Sequence, residues 1–530
     1  MKKLVLAALV LLAIFYLPFI NKAVHIDDHN FIAMSEAIEL PLSYKQGYAY
    51  YFTGSMTENY NPYGSSHPPF IPLFLKLLSI IAGGYKEYML HAGFLIFSFL
   101  LVISVLLLSK EVGIPPFPTA LFICTNVAIL PVGHNLMADM PMLSFWMLAA
   151  YLFISGINKD SQRRILSSIF PLTIAGLISY QTFFLLPAFL LPLLAKKKID
   201  IKTLVIFFIP AAVLGSVLLY LTLQYSSPIT GIFNEIRMGL QPDRLFNKGL
   251  GIPVSIGVSM LFVLPAIYKD MIISRKNIIM AAGAVLIVIP PVVSLSYPLW
   301  SSIWLVLLAS TGLFSVVFTV QNGFKRIKDS PMVLFMLLWL ASVLFYNIFL
   351  MPFGALRYIM PVIVPISFLI FWISAKSKRL MLSAILTSLL GLAVAYSDYI
   401  YASSYRDFSE VTKQTVGTVR SRVWYIGEWG MHYYMDKQGF RYLVKNKDIP
   451  EEGDLIIMAD VPRLWSPSLE LYSRMKLIDV REIGSWYPIR VMGADINTGY
   501  YSYLWGYQPF TLSSLPVERF GIFRVIDPYK

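Results

Sequence analysis

Long apolar runs, separated by short clusters of lysine and arginine, constrain this chain more than any other feature. A membrane-spanning helix needs about 20 mostly apolar residues. Runs approaching or exceeding that length cover 4–20, 88–109, 117–132, 138–156, 164–178, 180–195, 202–224, 251–268, 277–294, 298–319, 331–350, 357–374 and 379–396. They predict a polytopic α-helical membrane protein with about 13 transmembrane helices. Composition agrees, because 57% of residues are hydrophobic and only 14% charged, against about 25% charged in soluble domains.

The net charge of +13 raises the question of nucleic acid, and its distribution answers it. The cations sit between apolar runs, as Lys2-Lys3, Arg163-Arg164, Lys196-Lys197-Lys198, Arg275-Lys276, Lys325-Arg326 and Lys378-Arg379. That is the positive-inside pattern of cytoplasmic loops and not a face for phosphate backbone, so no nucleic-acid partner is expected. Counting spans alternately puts the basic loops 157–163, 196–201, 269–276, 320–330 and 375–379 in the cytoplasm, while 133–137, 179 and 295–297 fall outside without Lys or Arg. The first run follows Lys2-Lys3 without an A-x-A-like cleavage site, so it reads as an uncleaved helix with a cytoplasmic N-terminus. The expected location is the plasma or inner membrane, multi-pass. Cys124, the single cysteine, lies in an apolar run and excludes an intrachain disulfide.

Two regions depart from the apolar pattern. Residues 21–86 form a polar and aromatic first outer loop, with Phe31, Met34 and Ile38 at the spacing of an amphipathic surface helix and residues 70–82 as a second surface or re-entrant helix. Residues 397–530 fall outside after an odd number of spans. Runs such as DLIIMA (454–459) and FGIFRVI (520–526) predict a small α/β or mostly β extracytoplasmic domain there. The expected domains are therefore 1–396 in the membrane and 397–530 outside.

Three polar features at the outer face stand out. Asp27 and Asp28 follow the first helix, where one carboxylate can serve as a general base; the bland alternative is a helix cap and its dipole partner. Asp139 starts a span and faces either a cavity or solvent. Arg357-Tyr358 enter a late span against the positive-inside bias, as phosphate ligands or as interface anchors. His67, before Pro68-Pro69, is a further phosphate-binding candidate, and Arg237, Arg244 and Lys248 are remoter ones. No Walker loop, dinucleotide fingerprint or HExxH is present. Six scattered histidines predict no dedicated zinc site, so no metal and no cofactor is expected, although a divalent ion stays possible.

In order and spacing, IDDHNFIAMSEAI (26–38), NPYGSSHPPFIPLFL (61–75), LMADMPMLSFWMLAAYLF (136–153) and LRYIMPVIVPI (356–366) resemble the GT-C membrane glycosyltransferases. More narrowly they resemble the glycosyltransferase family 39 and 83 group, which includes protein O-mannosyltransferases and lipid A aminoarabinose transferases. AYSDYIYASSYRDF (395–408), VWYIGEWGMHYYMDKQG (423–439) and GYYSYLWGYQPFTLSS (499–514) are similar to segments of bacterial members. The resemblance implies a GT-C fold and an inverting transfer at the outer face. The donor would be a polyprenyl-phosphate-linked sugar and the acceptor a lipid, polysaccharide or protein. It implies catalytic acids at Asp27, Asp28 and Asp139, and donor phosphate bound by His67, Arg357 and Tyr358. Relatives often carry a basic residue where this chain has Ser179-Tyr180-Gln181. The rival readings are a lipid or sugar transporter, which predicts a site at mid-membrane, and a noncatalytic scaffold with the acids scattered.

Overall fold

The computed structural model describes residues 2–39, 43–64, 67–195, 201–225, 228–263, 275–416 and 422–526. The predicted basic loops 196–201 and 269–276, the last turn of the 251–268 run and Ser66 lie wholly or mostly outside these residues. Among the described residues, eight helices are long and apolar enough to cross a membrane. They are Lys2–Phe19, Glu87–Glu111, Asp139–Asn158, Lys276–Val293, Leu299–Lys325, Pro331–Leu350, Leu356–Ile373 and Leu380–Thr415. Shorter apolar helices occupy Phe70–Ala82, Thr182–Leu194 and Phe208–Gln224. The protein is a helical multi-pass membrane protein carrying a sheet-containing C-terminal region.

Small residues set how closely the helices approach. A Cβ on Gly257 would lie 1.7 Å from the Leu308 carbonyl oxygen, and one on Gly312 would lie 1.9 Å from that of Pro253. The helices Pro242–Met260 and Leu299–Lys325 thus cross with their backbones in contact, as small residues allow inside a membrane. Elsewhere aromatic rings fill the space: Trp146 and Trp339 meet edge-on at 5.7 Å, and the Trp146 indole N–H donates to Thr182 Oγ1 at 2.9 Å.

The run 117–132 is not one straight helix. The α-helix covers Pro116–Cys124, and buried turns lead to a 3-10 turn at Val132–His134. Asn126 explains the break, because its side-chain oxygen accepts the Ala128 N–H at 3.1 Å and its amide donates to the Ser259 carbonyl at 2.9 Å. An Asn side chain that bonds to nearby backbone competes with helix continuation. The helix at the other boundary runs on instead: Leu380–Val416 is a single element of 37 residues that crosses residue 397.

The surface helix expected over 26–38 forms as Asp28–Ala37, but protein covers it. Phe31, Met34 and Ile38 are buried as the spacing predicts, and so are His29, Ile32 and Ser35 on its other faces. It packs between the helix Phe70–Ala82 and the helix Trp429–Lys437 of the C-terminal region. The C-terminal sheet has five strands in the order Arg441–Tyr442, Val423–Ile426, Leu455–Ala459, Glu518–Val525 and Met475–Ile483. The first two pairings are parallel and the last two antiparallel. Its third and fourth strands are the apolar runs read from the sequence.

A buried ionic network ties these parts together. Lys22 donates to Asp398 and to the side chain of Asn135. The Tyr501 hydroxyl donates to the same carboxylate at 2.8 Å and accepts from Asn135 at 2.9 Å. His25 Nε2 lies 3.3 Å from the other Asp398 oxygen. Lys22 and Asp398 are 1% and 0% exposed, so removing one partner strands a charge, at about 3–5 kcal/mol. Asp398→Ala should therefore lower the apparent Tm in detergent sharply. The paired change Lys22→Met with Asp398→Leu should cost less than either single change, as thermal unfolding of all three variants would reveal.

Candidate active site

A cavity of about 350 Å³ opens where helix ends meet. Asp27 follows the first helix, Asp139 begins the helix Asp139–Asn158, and Gln181 precedes the helix Thr182–Ala195. Tyr346 stands in a π-turn, Tyr346–Leu350, that closes the helix Pro331–Phe345, and Arg357 stands in the 3-10 turn before Met360–Ile373. All lie at one end of the bundle. The C-terminal region sits at that end too, since Tyr503 N–H donates to the Gly354 carbonyl at 3.0 Å and Leu356 N–H to that of Tyr500 at 3.0 Å.

The centre of the site is an ion pair. Arg357 Nη2 donates to Asp27 Oδ2 at 2.6 Å and to the Tyr358 hydroxyl at 2.9 Å, and the guanidinium lies 4.8 Å from the Tyr358 ring centre. Among the described residues, its Nη1 meets only the weak acceptor sulfur of Met137, at 2.8 Å, and its buried Nε has no hydrogen-bond partner. Arg357 is 6% exposed and Asp27 30%. Burial pushes the Asp27 carboxyl toward its neutral form, but the adjacent guanidinium outweighs this and holds its pKa below the ordinary value. Although Asp27 occupies the N-cap position, its side chain makes no capping bond. The preceding residue, Ile26, sits at φ +46°, a conformation costly for a β-branched residue.

Asp28 has a different setting from its neighbour. Its oxygens accept the Leu136 N–H at 2.8 Å and the His25 N–H at 3.1 Å, and it is absent from the cavity wall. It pins the segment after the first helix to the segment before Asp139, which corrects the expectation that it shares the cavity. Burial raises its pKa to about 7.

The remaining sequence candidates divide. His67, Asp139 and Tyr358 line the cavity with Asp27 and Arg357, and so do Ser179, Tyr180 and Gln181. Tyr180 presents a buried hydroxyl without a hydrogen-bond partner among the described residues. Arg237, Arg244 and Lys248 do not line it, and Lys248 is spent on the Gly239 and Met351 carbonyls, both at 2.8 Å. Sequence reasoning missed Glu235 and Tyr346, which complete the wall. It saw only as part of an aromatic loop the side made by Tyr50, Phe52 and Tyr60, where Tyr50 and Tyr60 stack at 4.4 Å.

A helical membrane bundle with an acid-and-arginine cavity at one end is the class that fold and site define. A family model described as dolichyl-phosphate-mannose-protein mannosyltransferase matches residues 66–223, which include His67, Asp139 and Ser179–Gln181. The resemblance to GT-C glycosyltransferases of the family 39 and 83 group thus holds over that segment. No curated protein matches the chain. ArnT from Cupriavidus metallidurans bound to undecaprenyl phosphate is similar in structure, with a TM-score of 0.43 and 11% identity, over 90% of this chain and 96% of that one. Its apo state gives 0.44 at the same identity and coverage. The Archaeoglobus fulgidus oligosaccharyltransferase tethered with an acceptor peptide gives 0.42 at 12% identity, over 83% of this chain and 63% of that one.

The division between the two adjacent acids is testable by stability. Asp28→Ala strands two backbone N–H groups, at about 1–3 kcal/mol each if they stay buried, and should lower the apparent Tm in detergent markedly. Asp28→Asn, which keeps one acceptor oxygen, should recover part of that loss.

Proposed function

We propose that this chain is an inverting glycosyltransferase that moves a sugar from a polyprenyl-phosphate donor to an acceptor hydroxyl at the outer face of the membrane. The observation that carries the reading is Arg357, a buried guanidinium with unspent donors, paired to a carboxylate on the wall of a cavity. Arginine grips phosphate through just such free N–H groups. The place of the cavity supports the reading as well. Lys159, Arg163, Arg164 and Lys325 lie past the far ends of helices whose near ends form or flank the cavity. By the positive-inside bias that far end is cytoplasmic and the cavity is outside. A site at helix ends suits a donor whose headgroup sits at the interface, whereas a carrier would place its site near mid-membrane.

The chemistry follows from the charges. Asp27 takes the proton of the acceptor hydroxyl. The acceptor oxygen attacks the anomeric carbon from the side opposite the phosphate, the bond from that carbon to the phosphate oxygen breaks, and the lipid phosphate leaves with the electron pair. Inversion is the geometric result. Arg357 and His67 stabilise the charge gathering on the leaving phosphate. An arriving phosphate competes for Arg357, so it weakens the hold that keeps Asp27 a poor base and raises its basicity only when donor is bound. One arginine and one histidine face three acids, Asp27, Asp139 and Glu235, in this cavity. That balance suits a phosphodiester with a single negative charge better than a diphosphate. Carboxylates accept hydrogen bonds from sugar hydroxyls, and the Tyr50–Tyr60 stack offers flat apolar faces to the ring.

Purified full-length protein, supplied with a panel of radiolabelled polyprenyl-phosphate sugars and membrane acceptors, should transfer one of them. Asp27→Asn should cut turnover by about 10²–10⁴-fold, the usual contribution of a positioned base. Arg357→Lys should raise the KM for donor, because an ammonium cannot replace the planar fork. An Asp27→Asn variant with near-normal turnover would overturn the assignment of the base.

A further inference from the structure

Six histidines are spread along the chain, and the fold brings two of them together far from one another in sequence. His29 lies in the first turn of the Asp28–Ala37 helix, and His432 lies in the helix Trp429–Lys437 of the C-terminal region. Glu428, at the N-cap of that second helix, completes the group. One donor atom from each lies within 4.8 Å of the others. The residues are 4%, 7% and 0% exposed. None of them lines the cavity described above.

Each of the three side chains carries an unsatisfied atom. Among the described residues, His29 Nε2, His432 Nδ1 and Glu428 Oε2 are buried without a hydrogen-bond partner, a condition native interiors seldom leave unexplained. The opposite atom of each side chain is held in place. His29 Nδ1 lies 3.0 Å from the Ile26 carbonyl oxygen, and His432 Nε2 lies 3.2 Å from a carboxylate oxygen of Asp436. Glu428 Oε1 accepts the Tyr442 hydroxyl at 2.5 Å and the Thr53 N–H at 2.9 Å. A carbonyl or carboxylate behind a ring nitrogen keeps the proton there and leaves a lone pair on the other nitrogen, which is how metal-binding histidines are oriented. That leaves a nitrogen lone pair on each imidazole and a free carboxylate oxygen within one small buried cluster.

We propose that His29, His432 and Glu428 bind a divalent transition-metal ion, zinc by the character of the donors, which fastens the Asp28–Ala37 helix to the C-terminal domain. Two imidazoles and one carboxylate suit zinc, whereas magnesium and calcium take oxygen shells. Around a tetrahedral zinc with bonds of about 2.1 Å, donor atoms sit ~3.4 Å apart. The separation of His432 Nδ1 from Glu428 Oε2 is 3.6 Å. That spacing fits two ligands of one ion and is too long for a direct hydrogen bond. With Asp436 behind His432, two carboxylates balance the two positive charges of the ion. The helix so fastened begins one residue after Asp27, so the ion would hold the position of that carboxylate without touching it. The rival account is a charged His432 bridging Glu428 and Asp436, in which His29 has no part.

The test uses purified full-length protein in detergent, with zinc and cobalt(II) as the probes. Elemental analysis after dialysis should find about one zinc per chain. Cobalt(II) should give the visible absorption of a tetrahedral site, and removing the ion with a chelator should lower the apparent Tm, with recovery on adding zinc. Asp436→Asn should weaken zinc binding by about 10–100-fold, and His29→Gln should abolish stoichiometric binding. Wild-type protein with no stoichiometric zinc, no cobalt spectrum and a Tm indifferent to chelator would overturn the proposal. A His29→Gln variant that binds zinc as tightly as wild type would do the same. None of these readouts depends on the transferase activity.

Discussion

The contact between Lys22 and Asp398 holds the rest of the structure in place. Both groups have left water almost completely, and such a pair persists only when its remaining valences are filled. Asn135, Tyr501 and the Pro131 carbonyl fill most of them, and His25 Nε2 stands 3.3 Å from the second Asp398 oxygen. The pair and these neighbours come from the exit of the first helix, the turn before Asp139, the long helix Leu380–Val416 and the C-terminal region. One buried charge pair therefore fixes the mutual position of four segments around the cavity. Asp28 adds a second clamp between two of them through the Leu136 N–H. The cost of burying these charges is recovered as placement: Asp27, Met137 and Asp139 stand on segments that cannot drift apart without exposing an unpaired ion.

The cavity places a strong but incompletely satisfied cation beside a carboxylate. Arg357 commits one nitrogen to Asp27 and Tyr358 and, among the described residues, leaves the others to a thioether and to nothing. In an interior that leaves few donors idle, this is an arrangement prepared for an anion. It also makes the basicity of Asp27 depend on what else Arg357 holds. In the proposed reaction, a site built this way would join donor binding to proton abstraction through one guanidinium, without a moving part.

Much of the architecture was legible because membrane spans depend on local composition. Apolar length and basic flanks declare a helix whatever it packs against, since lipid leaves backbone groups no partner but the helix itself. The strands Leu455–Ala459 and Glu518–Val525 were legible for a similar reason, as short apolar runs between turns. What failed locally failed for a tertiary cause. The 117–132 run breaks because Asn126 finds Ser259, more than a hundred residues away. The Asp28–Ala37 helix has no free polar face because a helix from the far end of the chain covers it.

The same division runs through the site. Sequence alone marked Asp27, Asp28, His67, Asp139, Arg357 and Tyr358, since a charge or a histidine beside a membrane span is conspicuous against an apolar background. It could not separate Asp27 from Asp28, because adjacent residues share every local property and differ only in where the backbone aims them. Nor could it enlist Glu235, Tyr346 or the stacked Tyr50 and Tyr60, or bring His29 to His432. Those juxtapositions arise when helices pack and the C-terminal domain docks, and distance in space is not recorded in the period of a helix. Composition and order along the chain determined a membrane bundle with polar groups at one end. Packing decided which of those groups face each other, because only in three dimensions does a buried charge find the partner that makes its burial tolerable.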